Sequence, residues 1–193
     1  MNAEEIKMDR PKQILSMHPQ KFALWLFIVS VMMMFAALTS AYIVKQADNN
    51  WLLFDMPDAF VYTSIVIVLS SVTMHWAYLS AKKDNIPQAK AAVLSTFVLG
   101  IIFLIGQYQS WSELVEMDVY FVGNPAGSFI YVLTGLHGLH LISALIFLFI
   151  VFIAVFRYKV HSKRLNRIEM CTTYWHFLGG LWLYLYFFLL LNS

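Results

Sequence analysis

The chain has 193 residues, of which 60% are hydrophobic and 12% are charged. Soluble domains have about 45–50% apolar and about 25% charged residues, and a soluble fold of this length could not bury so much apolar surface. The net charge of +2 gives no reason to expect a nucleic-acid partner, and the single cysteine, Cys171, excludes an internal disulfide framework and a multi-cysteine metal site. The composition therefore predicts a small polytopic membrane protein.

Five apolar blocks are each long enough to cross a hydrocarbon core of about 30 Å as a helix. In chain order they are Phe22–Val44, Ala59–Ala81, Ala91–Ser110, Gly127–Phe156 and Cys171–Leu191. The segments Asn85-Ile86-Pro87 and Gly123-Asn124-Pro125 are typical of turns between spans. We therefore predict an all-α bundle of five transmembrane helices that forms a single membrane domain over residues 1–193.

The basic residues predict the orientation of these spans. Twelve of the 13 Lys and Arg residues fall in the N-terminal tail and in the second and fourth loops, and only Lys45 lies on the other side. The opposite loops carry six acidic residues: Asp48, Asp55, Asp58, Glu113, Glu116 and Asp118. Because basic loops stay in the cytoplasm, we expect a cytoplasmic N-terminus and an external C-terminus.

Small and polar residues form stripes on three of the predicted helices. The stripes are Ser64, Ser71, His75 and Tyr78 on span 2; Tyr131, Thr134, Gly135, His137, Gly138 and His140 on span 4; and Glu169, Thr172, Thr173, His176, Gly179, Gly180 and Phe187 on span 5. Small residues let helices approach closely, and polar side chains avoid lipid. We expect these stripes to face other helices, which explains them without any chemistry.

The intramembrane histidines allow a second interpretation. His75 and His176 lie at similar depth, so they could clamp a haem, although buried histidines that hydrogen-bond across helices are commoner. His137 and His140 are about 60° apart on their helix and have no carboxylate in the span, which is poor geometry for one metal ion. Glu169 lies at the start of span 5, where a carboxylate favours the helix N-terminus. The residues by themselves offer no catalytic site.

Two motifs carry a family resemblance. Thr134-Gly-Leu-His-Gly-Leu-His140, and Tyr174-Trp-His-Phe177 followed by Trp182, resemble the TGxHGxH and YWHF…W signatures of subunit III of haem–copper terminal oxidases. Three further segments are similar to helices of that family: Leu24–Ser30, Ser70–Ala77 and Phe103–Gln107. Glu169 matches an acidic position ahead of the YWHF motif. With five spans, the chain is similar to the shorter form of this subunit, which lacks the first two helices of the family.

The resemblance implies a subunit without its own haem, copper or other redox centre. Such a subunit packs on subunit I, binds phospholipid, and supports proton uptake and durability during turnover. It also implies haems and copper in partner subunits I and II, a bacterial inner (cytoplasmic) membrane, and a larger respiratory supercomplex as a further partner. The residues expected to hold helices and lipids together are His75, Thr134, His137, His140, Glu169, Trp175 and His176.

Three positions depart from the family pattern. The family has intramembrane carboxylates where this chain has Val31, Ser110 and Gly179. An unpaired carboxylate within the membrane costs about 2.5–3.5 kcal/mol on membrane-insertion scales. The membrane therefore does not oppose the replacement of all three by uncharged residues. Their loss counts against a proton-antenna role for this chain.

The sequence thus favours the non-catalytic subunit III of a bacterial respiratory haem–copper oxidase of the cytochrome c-oxidising type. Two alternatives lie within the family: subunit III of a quinol oxidase, and the related small protein that accompanies nitric oxide reductase. An alternative of another class is a membrane cytochrome whose haem is held by His75 and His176. A small transporter is disfavoured because the spans lack intramembrane charges and broken helices.

Overall fold

The structure, a computed structural model, describes residues 19–47, 51, 56–156 and 165–192. These residues form five helices and no strand. The helices are α1 Pro19–Gln46, α2 Ala59–Lys82, α3 Ile86–Glu116, α4 Pro125–Phe156 and α5 Asn166–Asn192. Each helix is long and apolar enough to cross a membrane, which confirms the predicted all-α membrane bundle.

Helix α3 is longer than the predicted third span, beginning at Ile86 instead of Ala91 and ending at Glu116 instead of Ser110. Its start is set by Asn85, whose side chain accepts a hydrogen bond from the backbone nitrogen of Gln88 at 3.4 Å. Pro87 falls in the first turn of the helix, where its missing N–H has no intrahelical partner to lose. The segment predicted to be a turn is therefore the cap and first turn of a helix.

Helices α2 to α5 form a closed ring. Within it α2 packs on α3, α3 on α4, α4 on α5, and α5 back on α2, whereas α1 touches only α4 and α5. Consecutive helices run in opposite directions, so α1, α3 and α5 all begin at the same end of the bundle, which we call the N-terminal end. Because α1 and α2 do not pack on each other, a groove over α5 remains open between them.

Aromatic side chains fill the ring. Trp175 and Trp182 of α5 are each 1% exposed and are the two largest fully buried side chains among the described residues. The ring of Trp182 stacks on Phe60 of α2 at 5.8 Å and meets Phe103 of α3 edge-on at 5.0 Å, both measured between centroids. Trp175 packs closely against Gly100 of α3. Side chains of α5 therefore occupy the space between α2 and α3.

Helix α1 docks on the outside of the ring through one narrow stripe. Its buried residues recur at a spacing of three or four: Ile28, Val31, Phe35, Thr39 and Tyr42. Residues outside this stripe are exposed, for example Trp25 (52%) and Met33 (68%). A helix buried on only one side has most of its surface available to lipid or to another subunit.

The predicted stripes are buried only in part. Thr134, His137 and Gly138 are buried as expected, but His75 and Gly180 are exposed, and Phe187 is 57% exposed. The prediction was wrong for these three residues. His75 and Gly180 border the groove between α2 and α5, which α1 does not cover, so no helix within the described residues covers them.

Gly100 provides a test of this packing. A Cβ atom at Gly100 would lie 2.8 Å from Leu145 Cδ2 and 2.8 Å from Trp175 Cη2. Since overpacking typically costs about 1–3 kcal/mol, Gly100→Ala should lower the thermal unfolding midpoint of the detergent-solubilised chain. Gly138→Ala is the control, because a Cβ there meets nothing within 4 Å and alanine favours a helix. Equal unfolding midpoints for the two variants and the unchanged chain would contradict this packing.

Candidate functional site

Two tryptophan–serine hydrogen bonds join α5 to α2. The indole Nε1 of Trp175 donates to Ser70 Oγ at 3.1 Å, and that of Trp182 donates to Ser64 Oγ at 3.1 Å. Each serine hydroxyl in turn donates to a carbonyl of its own helix, Ser70 to Ile67 and Ser64 to Phe60. Because a buried indole N–H without an acceptor is costly, the two serines allow tryptophan to fill this interior. We call this set the tryptophan–serine interface.

Thr134, the first residue of the TGLHGLH motif, joins α4 to α3. Its Oγ1 accepts a hydrogen bond from Trp111 Nε1 at 3.0 Å and donates to the carbonyl of Ile130 at 2.7 Å. The threonine is completely buried. Thr134 therefore provides an acceptor for an indole N–H between α3 and α4, as Ser70 and Ser64 do between α2 and α5.

The two histidines of the motif face different neighbours. His137 is fully buried, with its ring 5.9 Å from that of Phe103 and 5.0 Å from that of Trp182. His140 faces α1, where its ring lies 5.9 Å from Phe35, and its Nδ1 lies 2.7 Å from the carbonyl oxygen of Leu136. Since the two rings point to different helices, they do not form a common metal site.

His75 of α2 and His176 of α5 come together at the groove. Their ring centroids are 6.0 Å apart, and they line a cavity of about 430 Å³ together with Ser71, Gly179 and Gly180. The similar depth predicted from the sequence is therefore confirmed.

The pair does not fit as axial ligands of a haem. A Cβ atom on Gly179 would lie 2.9 Å from Ser71 Oγ, which shows that α2 and α5 are in close contact one turn away from both histidines. A haem clamped between two imidazoles needs its macrocycle to lie between the helices. The contact at Gly179 leaves no such gap.

Glu169 lies in the first turn of α5, as predicted, and pairs with a residue that sequence reasoning missed. Its Oε2 is 2.8 Å from Lys21 Nζ of α1, and the two side chains are 41% and 29% exposed. Since 148 positions separate these residues, no local pattern indicates the pair. At the other end of α1, Tyr42 and Gln46 both donate to the backbone carbonyl of Asn192 at 3.1 Å. Polar contacts at both ends therefore attach α1 to α5.

The three positions where the family has carboxylates are all buried. Val31 is 3% exposed, Ser110 is completely buried, and Gly179 is buried against Ser71. Ser110 donates to the carbonyl of Gly106 in its own helix. The interior that these three residues help to form is therefore uncharged at these points.

Metal-binding side chains are not clustered in the described part of the chain. Within residues 19–47, 51, 56–156 and 165–192, no three or more His, Cys, Asp or Glu side chains are grouped so that they could hold a metal ion.

Two bacterial proteins are similar to this chain over most of their length. Subunit 3 of cytochrome bo(3) ubiquinol oxidase from Buchnera aphidicola is 26% identical over 177 residues, which cover 89% of this chain and 93% of that protein. Subunit 3 of cytochrome c oxidase from Corynebacterium diphtheriae is 26% identical over 168 residues, which cover 83% and 82%.

Animal relatives are longer. Subunit 3 of human cytochrome c oxidase is 36% identical over 121 residues, which cover 63% of this chain and 45% of the human protein. The chain thus spans about half the length of such relatives.

A protein-family model described as cytochrome c oxidase subunit III matches residues 10–193. This match includes all five helices and both motifs. The chain therefore belongs to the cytochrome c oxidase subunit III family.

Proposed function

We propose that this chain is the non-catalytic subunit III of a bacterial respiratory haem–copper oxidase of the cytochrome c-oxidising type. Subunit III of this family carries no redox cofactor itself. The observation that carries the proposal is that the family's motif residues are used for packing: Trp175, Trp182 and Thr134 all make hydrogen bonds between helices. The chain then acts by stabilising subunit I, beside which it lies in the cytoplasmic membrane, while subunits I and II perform the redox chemistry.

A quinol oxidase is the second candidate. The Buchnera relative, which is named as a subunit of a ubiquinol oxidase, matches this chain over 93% of its own length. Partner subunits bind the electron donor. The polypeptides captured through an affinity tag on this chain therefore distinguish a cytochrome c oxidase from a quinol oxidase. A copper-bearing subunit II among them supports the cytochrome c type, and its absence from an active, quinol-oxidising complex supports the other.

The proposal includes support for proton uptake by subunit I, which the family resemblance implies. A proton relay inside the membrane is not part of it, because Val31, Ser110 and Gly179 cannot carry protons as carboxylates do. The acidic residue ahead of the YWHF motif, Glu169, is present at the N-terminal end of the bundle, and its charge is paired with Lys21. Stabilisation of the complex is therefore the main role that we assign.

Removing one acceptor from the tryptophan–serine interface tests this role. Ser70→Ala leaves the Trp175 N–H without its partner, which should cost about 1 kcal/mol, within the range measured for hydrogen bonds between membrane helices. The assembled oxidase should keep its initial rate of oxygen consumption but lose activity faster during repeated turnover. Ser95→Ala is the matched control, since Ser95 is exposed and donates only to Ala91 of its own helix.

Two results would count against the proposal. One is an immediate loss of oxygen reduction in Ser70→Ala with the complex still assembled. The other is a Soret band in the visible spectrum of the purified chain, because a haem bound to this chain would make it a membrane cytochrome.

The proposed orientation places the N-terminal end of the bundle in the cytoplasm. Lys83 and Glu116 are exposed at opposite ends of the bundle, whereas the native Cys171 is buried. In intact cells, a membrane-impermeant maleimide should label Glu116→Cys at once but Lys83→Cys only after permeabilisation. The reverse pattern would invert the topology, and the unchanged chain measures any background labelling of Cys171.

We also propose that the basic N-terminal end binds anionic phospholipid. The sequence predicts headgroup binding at the basic loop Arg157–Arg167, of which residues 157–164 lie outside the described residues. Lys82 and Lys83 lie at the end of α2 and are exposed there, and a basic residue near a charged membrane surface contributes about 1 kcal/mol. Replacing both by Gln should reduce the anionic lipid that remains with the complex in native mass spectrometry. Lys45→Gln, at the opposite end, is the control. Equal lipid retention in the double variant and the control would argue against this lipid site.

A further inference from the structure

Two polar side chains in the ring have no hydrogen-bond partner among the described residues. They are Gln107 of α3, which is 2% exposed, and His137 of α4, which is completely buried. Both atoms of the Gln107 amide and both ring nitrogens of His137 lack a partner. Buried polar groups in proteins are nearly always hydrogen-bonded to protein or to ordered water, so four such atoms in one bundle require an explanation.

The register of α3 and α4 places the two side chains at the same level. The rings of Phe103 and His137 are 5.9 Å apart, and Trp111 donates to Thr134 at 3.0 Å. Gln107 is one helical turn from both Phe103 and Trp111, and Thr134 is about one turn from His137. Gln107 therefore lies between the Phe103–His137 contact and the Trp111–Thr134 hydrogen bond, at the level of residues 134–137 of α4.

The neighbouring hydroxyl groups have already used their hydrogens. Ser64, Ser110 and Thr134 each donate to a carbonyl of their own helix, at 2.7, 2.9 and 2.7 Å. Ser64 and Thr134 also accept an indole N–H from Trp182 and Trp111, respectively. A neutral imidazole offers one donor and one acceptor, and an amide offers two donors and one acceptor. These hydroxyls therefore have no hydrogen left to give to His137.

The surroundings of this pair are otherwise aromatic and closed. His137 is flanked by Trp182 and Phe103, and both of those side chains are buried. Gln107 is nine residues from the end of α3 at Glu116, or about 14 Å along the helix axis, so it lies within the membrane-spanning part of the ring. Lipid headgroups and bulk solvent do not reach this depth in a packed ring.

We propose that Gln107 and His137 form a closed hydration site that binds ordered water inside the ring, within the membrane. Water has the chemistry that these atoms need, because one molecule makes about three hydrogen bonds and can act as donor and acceptor at once. The water donates a hydrogen bond to a ring nitrogen of His137, which the neighbouring hydroxyl groups cannot do, and accepts one from the amide nitrogen of Gln107. The site is separate from the groove at His75 and His176, and it assigns a binding role to two residues that the packing alone leaves unsatisfied.

The test is a cryo-electron microscopy structure of the complex captured through this chain, at a resolution that shows ordered water. We expect a density peak about 2.7–3.2 Å from a Gln107 amide atom and from a ring nitrogen of His137. The Trp175–Ser70 pair is the internal control, because it is equally buried but already bonded, and no peak should bridge it. Gln107→Met, which keeps the length and removes the amide, should lose or displace the peak.

Two outcomes would overturn the proposal. One is a direct hydrogen bond between the side chains of Gln107 and His137 with no water density beside them. The other is no peak near either side chain in a map that resolves water elsewhere in the bundle. The unchanged complex decides between these outcomes, so the conclusion does not depend on whether Gln107→Met assembles. His137→Phe, which removes both ring nitrogens, should abolish the peak in the same way.

Discussion

The bundle depends on placing two large indole rings in the interior of a membrane and giving each N–H group an acceptor on another helix. Trp175 and Trp182 donate to Ser70 and Ser64, and these two bonds join the first and last helices of the ring. The same rings provide its core, since Trp182 packs on Phe60 and Phe103 and Trp175 fills the space beside Gly100. Helix association in lipid has little hydrophobic driving force, so close packing and such bonds must provide it.

Helix α1 is held to the bundle by other contacts than those that join the four helices of the ring. It is attached to the ring at its ends, by the pair of Lys21 with Glu169 and by the bonds of Tyr42 and Gln46 to Asn192. It does not pack on α2, and α5 therefore borders grooves on both of its sides. His176 lines the cavity towards α2 and also a cavity of about 420 Å³ towards α1. His75 and Gly180 are left exposed at this place because α1 does not cover the groove between α2 and α5.

The departures from the family pattern agree with this packing. Gly179, where the family has a carboxylate, lets α5 approach Ser71 so closely that even a Cβ atom would be 2.9 Å from its hydroxyl. Val31 joins the stripe by which α1 docks, and Ser110 bonds within its own helix. All three substitutions replace a charge that is costly in lipid by a residue that packs. This packing is consistent with the proposed role in stabilising the complex, which needs no carboxylate at these three positions.

The sequence alone determined the membrane class, the number of helices, the family, and the similar depth of His75 and His176, because long apolar blocks and fixed motif spacings are local properties. It also indicated Glu169 at the start of α5, since a carboxylate there favours the helix N-terminus. Only the tertiary structure decided the hydrogen-bond and ion-pair partners: Lys21 for Glu169, and Ser70 and Ser64 for the two indoles. It also showed that Gln107 and His137 have no hydrogen-bond partner within the part of the chain that the structure describes. Helical periodicity tells which residues share a face but not which helix lies opposite that face. The exposure of His75 was missed for this reason: its position follows from helix geometry, but its open groove follows from α1 packing elsewhere.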